Sequence, residues 1–364
     1  MNTISPAKSG RLGYIDSMRG IAALLVVLMH NVQPIAEGWT RTLIYDVIDP
    51  GKVGVVMFFA ISGFVIPFSF PKGPAPLQRF LISRFFRLYP AYWLSMAGYL
   101  LLVLVSGVEL PSIATVIANV TMAQTALGQP NIIGVYWTLF IELLFYLMCA
   151  LAFAGGWLQR PKFTVAASFG CLAVGALCAL VRFYLERRMP VAVPLSLSIM
   201  FWGTLWREAI VNGSGEHRLY ACIMLALYIA AIPVISLLAY NIDLGLEENW
   251  VRYTISYLSG IGGFIAFSTA IKITGRRFVW LGYISYSLYL FHVHARDLTR
   301  LVLSTTGMDL PVWISVPISF ALAIGIAWFI FSLLEKPSIE LGHRIGAVVA
   351  ARRDRLRQSA TMRI

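Results

Sequence analysis

Between Arg19 and Leu334 the chain is a succession of long apolar stretches divided by short polar or basic breaks. A helix that crosses the hydrocarbon of a bilayer needs about 20 mainly apolar residues, each adding about 1.5 Å. About ten stretches reach that length: 18–37, 52–70, 89–107, 134–155, 163–182, 193–211, 219–240, 251–271, 278–298 and 311–334. The pattern predicts an all-α fold, a polytopic integral membrane helix bundle. Region 110–128 is apolar too, but Pro111 breaks it and Thr, Asn and Gln dot it. It reads either as a re-entrant or interfacial helix or as an eleventh crossing.

Composition removes the soluble alternatives. Hydrophobic residues make up 59% and charged residues 13%, with mean hydropathy +0.76; a soluble domain carries about 25% charge. The net charge of +12 does not point to nucleic acid, because a phosphate groove needs a solvated basic face that so apolar a chain hardly supplies. Topology accounts for it better. With a cytoplasmic N-terminus, segments 1–19, 71–88, 156–162, 207–218, 272–277 and 335–364 hold 21 of the 29 Lys and Arg. That asymmetry satisfies the positive-inside rule and places both termini in the cytoplasm of a multi-pass inner-membrane protein, with the lipid bilayer as its constant partner.

The basic start (Lys8, Arg11, Arg19) could imitate a signal peptide, but the apolar run after it is long and no small-x-small cleavage site precedes Trp39, so it is read as a retained first helix. The expected division is a cytoplasmic segment 1–13, a membrane domain 14–340 and a basic tail 341–364, loosely ordered or lying on anionic headgroups. No fixed-period repeat or attached soluble catalytic domain is visible. Cys149, Cys171, Cys178 and Cys222 lack ligand spacing, and no metal is expected.

Ionisable groups inside apolar helices are costly, by about 2.5–3.5 kcal/mol on insertion scales, so each is a functional candidate. Arg19 and His30 are eleven residues apart, which on a helix leaves them about 20° apart around the axis and about 16 Å apart along it. They share a face, and Asp16, one turn earlier, can hold the guanidinium. The same rise puts His292 about 21 Å and Glu142 about 18 Å above the cytoplasmic side, near the mid-membrane level expected for His30. The alternative for His30 is a helix-packing histidine; for Glu142, an inter-helix hydrogen bond; for His292, a supporting or acceptor-side place. Arg84 and Arg87 fall on one side of an expected interfacial helix with Phe80, Leu81, Phe85 and Leu88 toward lipid, as a phosphate site or as topology anchors. Ser62, next to Gly63, reads as a nucleophile, an oxyanion donor or a small-residue contact. Glu335 and Lys336 read as a rim anchor.

Several motifs in order resemble the membrane acyltransferase 3 family. They are IDSMRGIAALLVVLMH with Arg19 and His30, FFAISGFVI (58–66), RFFRLYPAYW (84–93), YWTLFIELLFY (136–146), LGYISYSLYLFH (281–292) and EKP (335–337). The resemblance covers residues 14–337 and implies O-acylation of sugars or related hydroxyl compounds, most often from acetyl-CoA. It makes His30 the catalytic histidine, puts Arg19, Arg84 and Arg87 on the donor side, and aligns Glu142 with the family's glutamate.

The expected mechanism places the acyl-CoA head at Arg19, Arg84 and Arg87 and the thioester at His30. As general base, His30 takes a proton from a carbohydrate hydroxyl, and Glu142 orients the imidazole. Tyr136 and Trp137 offer rings for a sugar. Acyl-CoA is a co-substrate, with no bound cofactor. Direct transfer is the first scheme, and an acyl-His30 or acyl-Ser62 intermediate the second. The rival class is a transporter or flippase of a lipid-linked sugar, whose intramembrane charges would line a path.

Overall fold

A computed structural model describes residues 12–245 and 247–361. The basic N-terminal stretch with Lys8 and Arg11 lies outside them. Every regular element among the described residues is helical. In chain order they are α1 (Gly13–Val32), short α2 (Gly38–Thr42), α3 (Pro50–Val65), α4 (Pro76–Val105), short α5 (Ile113–Val120), α6 (Trp137–Ala154), α7 (Pro161–Leu185), α8 (Ala192–Ile210), α9 (Gly215–Tyr240), α10 (Trp250–Thr269), α11 (Arg276–Thr306), α12 (Val312–Ile330) and α13 (Lys336–Thr361).

Each of the ten expected stretches falls on a long helix, but among the described residues only seven helical segments are both long and apolar enough to cross a membrane. Those built on α8, α10 and α11 fall short, and the reason is chemical. α8 is buried along most of its length, while α10 and α11 carry Arg252, His292, His294, Arg296 and Asp297. Helices shielded from lipid by neighbours tolerate such groups. Helix α5, eight residues long, extends only about 12 Å, too short for an eleventh crossing.

Two further expectations change. Arg84 and Arg87 do not sit on a separate interfacial helix; they belong to the first half of α4, which starts at Pro76 and continues through Pro90 to Val105. Of the four residues expected to face lipid, Leu81 and Phe85 are exposed whereas Phe80 and Leu88 are buried. The tail is helical to Thr361 and lies along the start of α4, with Gly342 against Phe86 and Gly346 against Arg79.

At the centre, α1 lies against α3 and α11, and α3 against α8 and α10. Small residues permit these approaches, as is general for helices packed in lipid. A Cβ on Gly20 of α1 would come 2.7 Å from the Leu281 side chain of α11, and one on Gly282 would strike the Asp16 carbonyl. This crossing sets α1 and α11 side by side, the two helices that carry Arg19, His30 and His292.

Candidate active site

One cavity of about 70 Å³ gathers all three expected donor-side arginines, Arg19 from α1 and Arg84 and Arg87 from α4, together with Ser62 from α3 and Glu142 from α6, which were expected in other roles. Its further lining includes Tyr146, Thr138, Ser285, Tyr286 and Tyr289. Three guanidinium groups face a single carboxylate, so the cavity is cationic. The Arg84 guanidinium lies over the Phe80 and Tyr146 rings, 5.4 and 5.5 Å from their centroids, and its buried Nε has no hydrogen-bond partner. A buried donor left open is a place for an incoming acceptor.

Arg87 is backed from outside the cavity by Glu335, at 3.9 Å. Far from being a rim anchor, Glu335 is only 1% exposed and accepts a hydrogen bond from Ser287 Oγ at 2.6 Å. Sequence reading missed this because 48 residues separate Ser287 from Glu335. Asp16 is buried in the turn before Arg19 and does not line the cavity.

The Ser62-Gly63 pair splits its roles. Gly63 packs against the backbone of Met200, while Ser62 faces the cavity.

Glu142 does not reach His30, and that expectation is corrected. Its carboxylate accepts the Tyr146 hydroxyl at 2.5 Å, one turn along α6, which turns it toward the arginines. The signal was present in the spacing, since residues i and i+4 share a helix face. The partner of His30 is His292: the ring centroids are 4.9 Å apart with planes at 67°.

His30 Nδ1 lies 2.9 Å from the Val26 carbonyl, and His292 Nδ1 lies 2.8 Å from the Tyr289 carbonyl. In the neutral rings each Nδ1–H donates there, which leaves each Nε2 as an acceptor. His292 Nε2 is buried without a partner. The pair stands beyond the cavity wall, with Tyr289 between: its ring lines the cavity and sits 6.0 Å from that of His292. His30 lies two residues before the end of α1, nearer that end than the mid-membrane level expected.

The two aromatic residues expected on the acceptor side part company. Tyr136 is fully buried, its hydroxyl 2.9 Å from Ser95 Oγ and its ring packed on Tyr92, so it cannot stack on a sugar. Trp137, one residue on, lines a second cavity.

A polytopic helical membrane protein with an internal arginine-lined cavity beside a histidine pair is the class that fold and site define. Residues 12–332 match the family model described as the Acyltransferase domain. The chain therefore belongs to the acyltransferase 3 family, and acyl transfer is the chemistry of that family. Among relatives, a protein of Acidianus two-tailed virus named as an acetyltransferase is 23% identical over 79% of this chain and 84% of its own length. The acyltransferase MdmB of Streptomyces mycarofaciens is 27% identical over 39% of each chain. Protein 2 in the picA locus of Rhizobium radiobacter is 33% identical over 30% of this chain and 56% of its own. No solved structure matches.

Proposed function

We propose that the protein is an inner-membrane O-acyltransferase that moves an acyl group, acetyl in the first instance, from cytosolic acyl-CoA to a hydroxyl of a cell-surface or lipid-linked carbohydrate. The observation that carries this reading is the convergence of Arg19, Arg84 and Arg87 on one narrow cavity whose wall leads through Tyr289 and His292 to His30. Guanidinium groups suit the phosphates of the CoA head, and a narrow cationic cavity suits a thin arm that carries a thioester inward. The ten long helices are read as crossings with both termini cytoplasmic, supported by the 21 of 29 basic residues assigned to that side.

In the proposed step, His30 Nε2 takes the proton of the acceptor hydroxyl as its oxygen attacks the thioester carbonyl. The C–S bond breaks, the acyl ester forms, and the imidazolium returns the proton to the departing CoA sulfur. His292 supports the His30 ring, and Glu142 acts on the donor side by holding Tyr146 and balancing the arginines. Membership of an acyltransferase family places the transporter reading second.

Purified protein in lipid nanodiscs, given labelled acetyl-CoA and a saccharide acceptor, is expected to transfer label, with transfer lost in His30→Ala. Surface glycans from cells lacking the protein are expected to lose acetyl groups. Glycans that kept their acetyl but failed to reach the surface would favour the transporter. Label trapped on the protein without acceptor would replace direct transfer by a covalent intermediate.

A further inference from the structure

A second cavity, of about 490 Å³, lies at the other end of the bundle, where α3, α6 and α10 begin and α7 ends. It shares Val55 with the arginine cavity, so one side chain stands in both walls. Lys52, Arg182, Arg188 and Glu248 line it, together with rings that include Trp137 and Tyr253.

The charges do not balance. Arg182 is paired with Glu248, both side chains almost fully buried. Arg188 gives Nε and Nη2 to the Leu244 carbonyl at 3.2 and 2.6 Å and, among the described residues, meets no carboxylate. The Lys52 ammonium lies 3.2 Å from the centroid of the Tyr253 ring and donates to no oxygen among the described residues. An ammonium held over a ring directs an N–H at the π face and keeps its other donors for something else.

These basic residues also run against the topology rule that explains the rest. Only eight of the 29 Lys and Arg fall outside the segments assigned to the cytoplasm, and three of the eight, Lys52, Arg182 and Arg188, line this cavity. Orientation in the membrane gives no reason for cations here. Glu248 accounts for Arg182; for Lys52 and Arg188 a negatively charged ligand does.

We propose that this cavity is the acceptor subsite and that it takes a saccharide carrying a negative group, a carboxylate or a phosphate. Lys52 and Arg188 hold the charge, and Trp137 lies against the sugar's C–H face. The volume suits a ring better than the narrow donor cavity does, and the shared wall at Val55 places the acceptor next to the acyl group's expected route. The assignment rests on the acyl-transfer reading for the word acceptor, but not for binding.

The test is binding to the full chain in phosphatidylcholine nanodiscs, without acetyl-CoA. The probes are a glucuronic-acid disaccharide, its carboxyl-reduced counterpart, and a polyprenyl-phosphate sugar. One of the two anionic probes is expected to bind about tenfold or more tightly than the reduced disaccharide, as a charge-assisted hydrogen bond implies, and which one it is identifies the source of the charge. Lys52→Met and Arg188→Gln are each expected to lower that affinity about tenfold while leaving acetyl-CoA binding unchanged. Arg188 is exposed, so its variant keeps the test informative if Lys52→Met fails to fold. Equal binding of the neutral and anionic disaccharides with no binding of the phosphate probe, or variants that bind as wild type does, would overturn the proposal. Whether label moves from acetyl-CoA to acceptor is read separately, so loss of that reading leaves the binding result standing.

Discussion

His30 and His292 meet edge to face, their centroids 4.9 Å apart, from two helices that are 262 positions distant in sequence. Each ring is oriented by a bond from Nδ1 to a carbonyl about one turn back on its own helix, so the two Nε2 atoms remain available. One positive charge on the pair is tolerable and two are not, since like charges at that distance in a dry site repel strongly. In the proposed mechanism His292 is therefore a neutral neighbour to the His30 ring. His30→Ala is expected to slow transfer by about 10²–10⁴-fold, the range for a lost general base. His292→Ala, which leaves the base but frees its ring, is expected to fall short of that loss, with acyl-CoA affinity unchanged in both. Single-turnover rates with labelled acetyl-CoA separate these outcomes; equal losses in both variants would mean that the rings act as one unit.

Arg84 and Arg87 belong to one turn of α4 and one cavity, yet their surroundings differ. Arg84 has an unfilled buried Nε and lies over two aromatic rings, whereas Arg87 is backed by Glu335. If both hold the donor's phosphates, Arg84→Met and Arg87→Met each raise the acyl-CoA KM by about tenfold or more, the range for one charged hydrogen bond, with a smaller change in kcat. Initial rates against acyl-CoA concentration decide it. A fall in kcat with KM untouched would move these residues away from donor binding.

Glu335 tests the support beneath Arg87. Removing Glu335 leaves the partly exposed Arg87 without its counter-charge and the buried Ser287 Oγ without its acceptor, at about 1–3 kcal/mol, so Glu335→Ala is expected to lower the melting temperature and the yield of folded protein. Glu335→Gln keeps an acceptor for Ser287 Oγ and loses only the charge. It should fold, and it should show a raised acyl-CoA KM as Arg87 loses its fixed position. Thermal unfolding in detergent beside steady-state kinetics reads both effects.

How far the sequence could be read depends on the range of the interaction. Helical periodicity is local, so the helices and the alignment of Arg19 with His30 along α1 follow from counting residues. The sequence groups Arg19, Arg84 and Arg87 but does not bring Ser62 and Glu142 into one cavity with them, because depth arithmetic places residues at a level but not around the bundle. Depth alone therefore puts Glu142 level with His30, whereas its carboxylate meets Tyr146 and the ring in contact with His30 is that of His292. Glu335 reads as a rim residue in the sequence because its partners, Arg87 and Ser287, come from elements far away in the chain. Lys52 and Arg188 did leave a trace, as exceptions to the charge asymmetry, but an exception has no meaning until the fold collects several around one space.

The crossing of α1 and α11 controls whether the histidines meet at all. Gly20 and Gly282 bring the backbones together at the level of Asp16 and Arg19, and His292 lies ten residues further along α11, a rise of about 15 Å. A side chain at position 282 strikes the Asp16 carbonyl, which no rotamer change relieves, so Gly282→Ala must push the helices apart. Overpacking of this kind costs about 1–3 kcal/mol, and a small change of crossing angle at Gly282 becomes a larger displacement at His30. Gly262 of α10 provides the control, because a Cβ there meets nothing within 4 Å, and Gly→Ala within a helix contributes about 0.5–1 kcal/mol of stability. Gly282→Ala is expected to lose activity out of proportion to its fall in melting temperature, with Gly262→Ala equal to wild type in activity and no less stable. If Gly282→Ala kept full transfer rates, the close approach at this point would not be what holds the two imidazoles in place, and the role assigned to the pair would have to rest on other contacts.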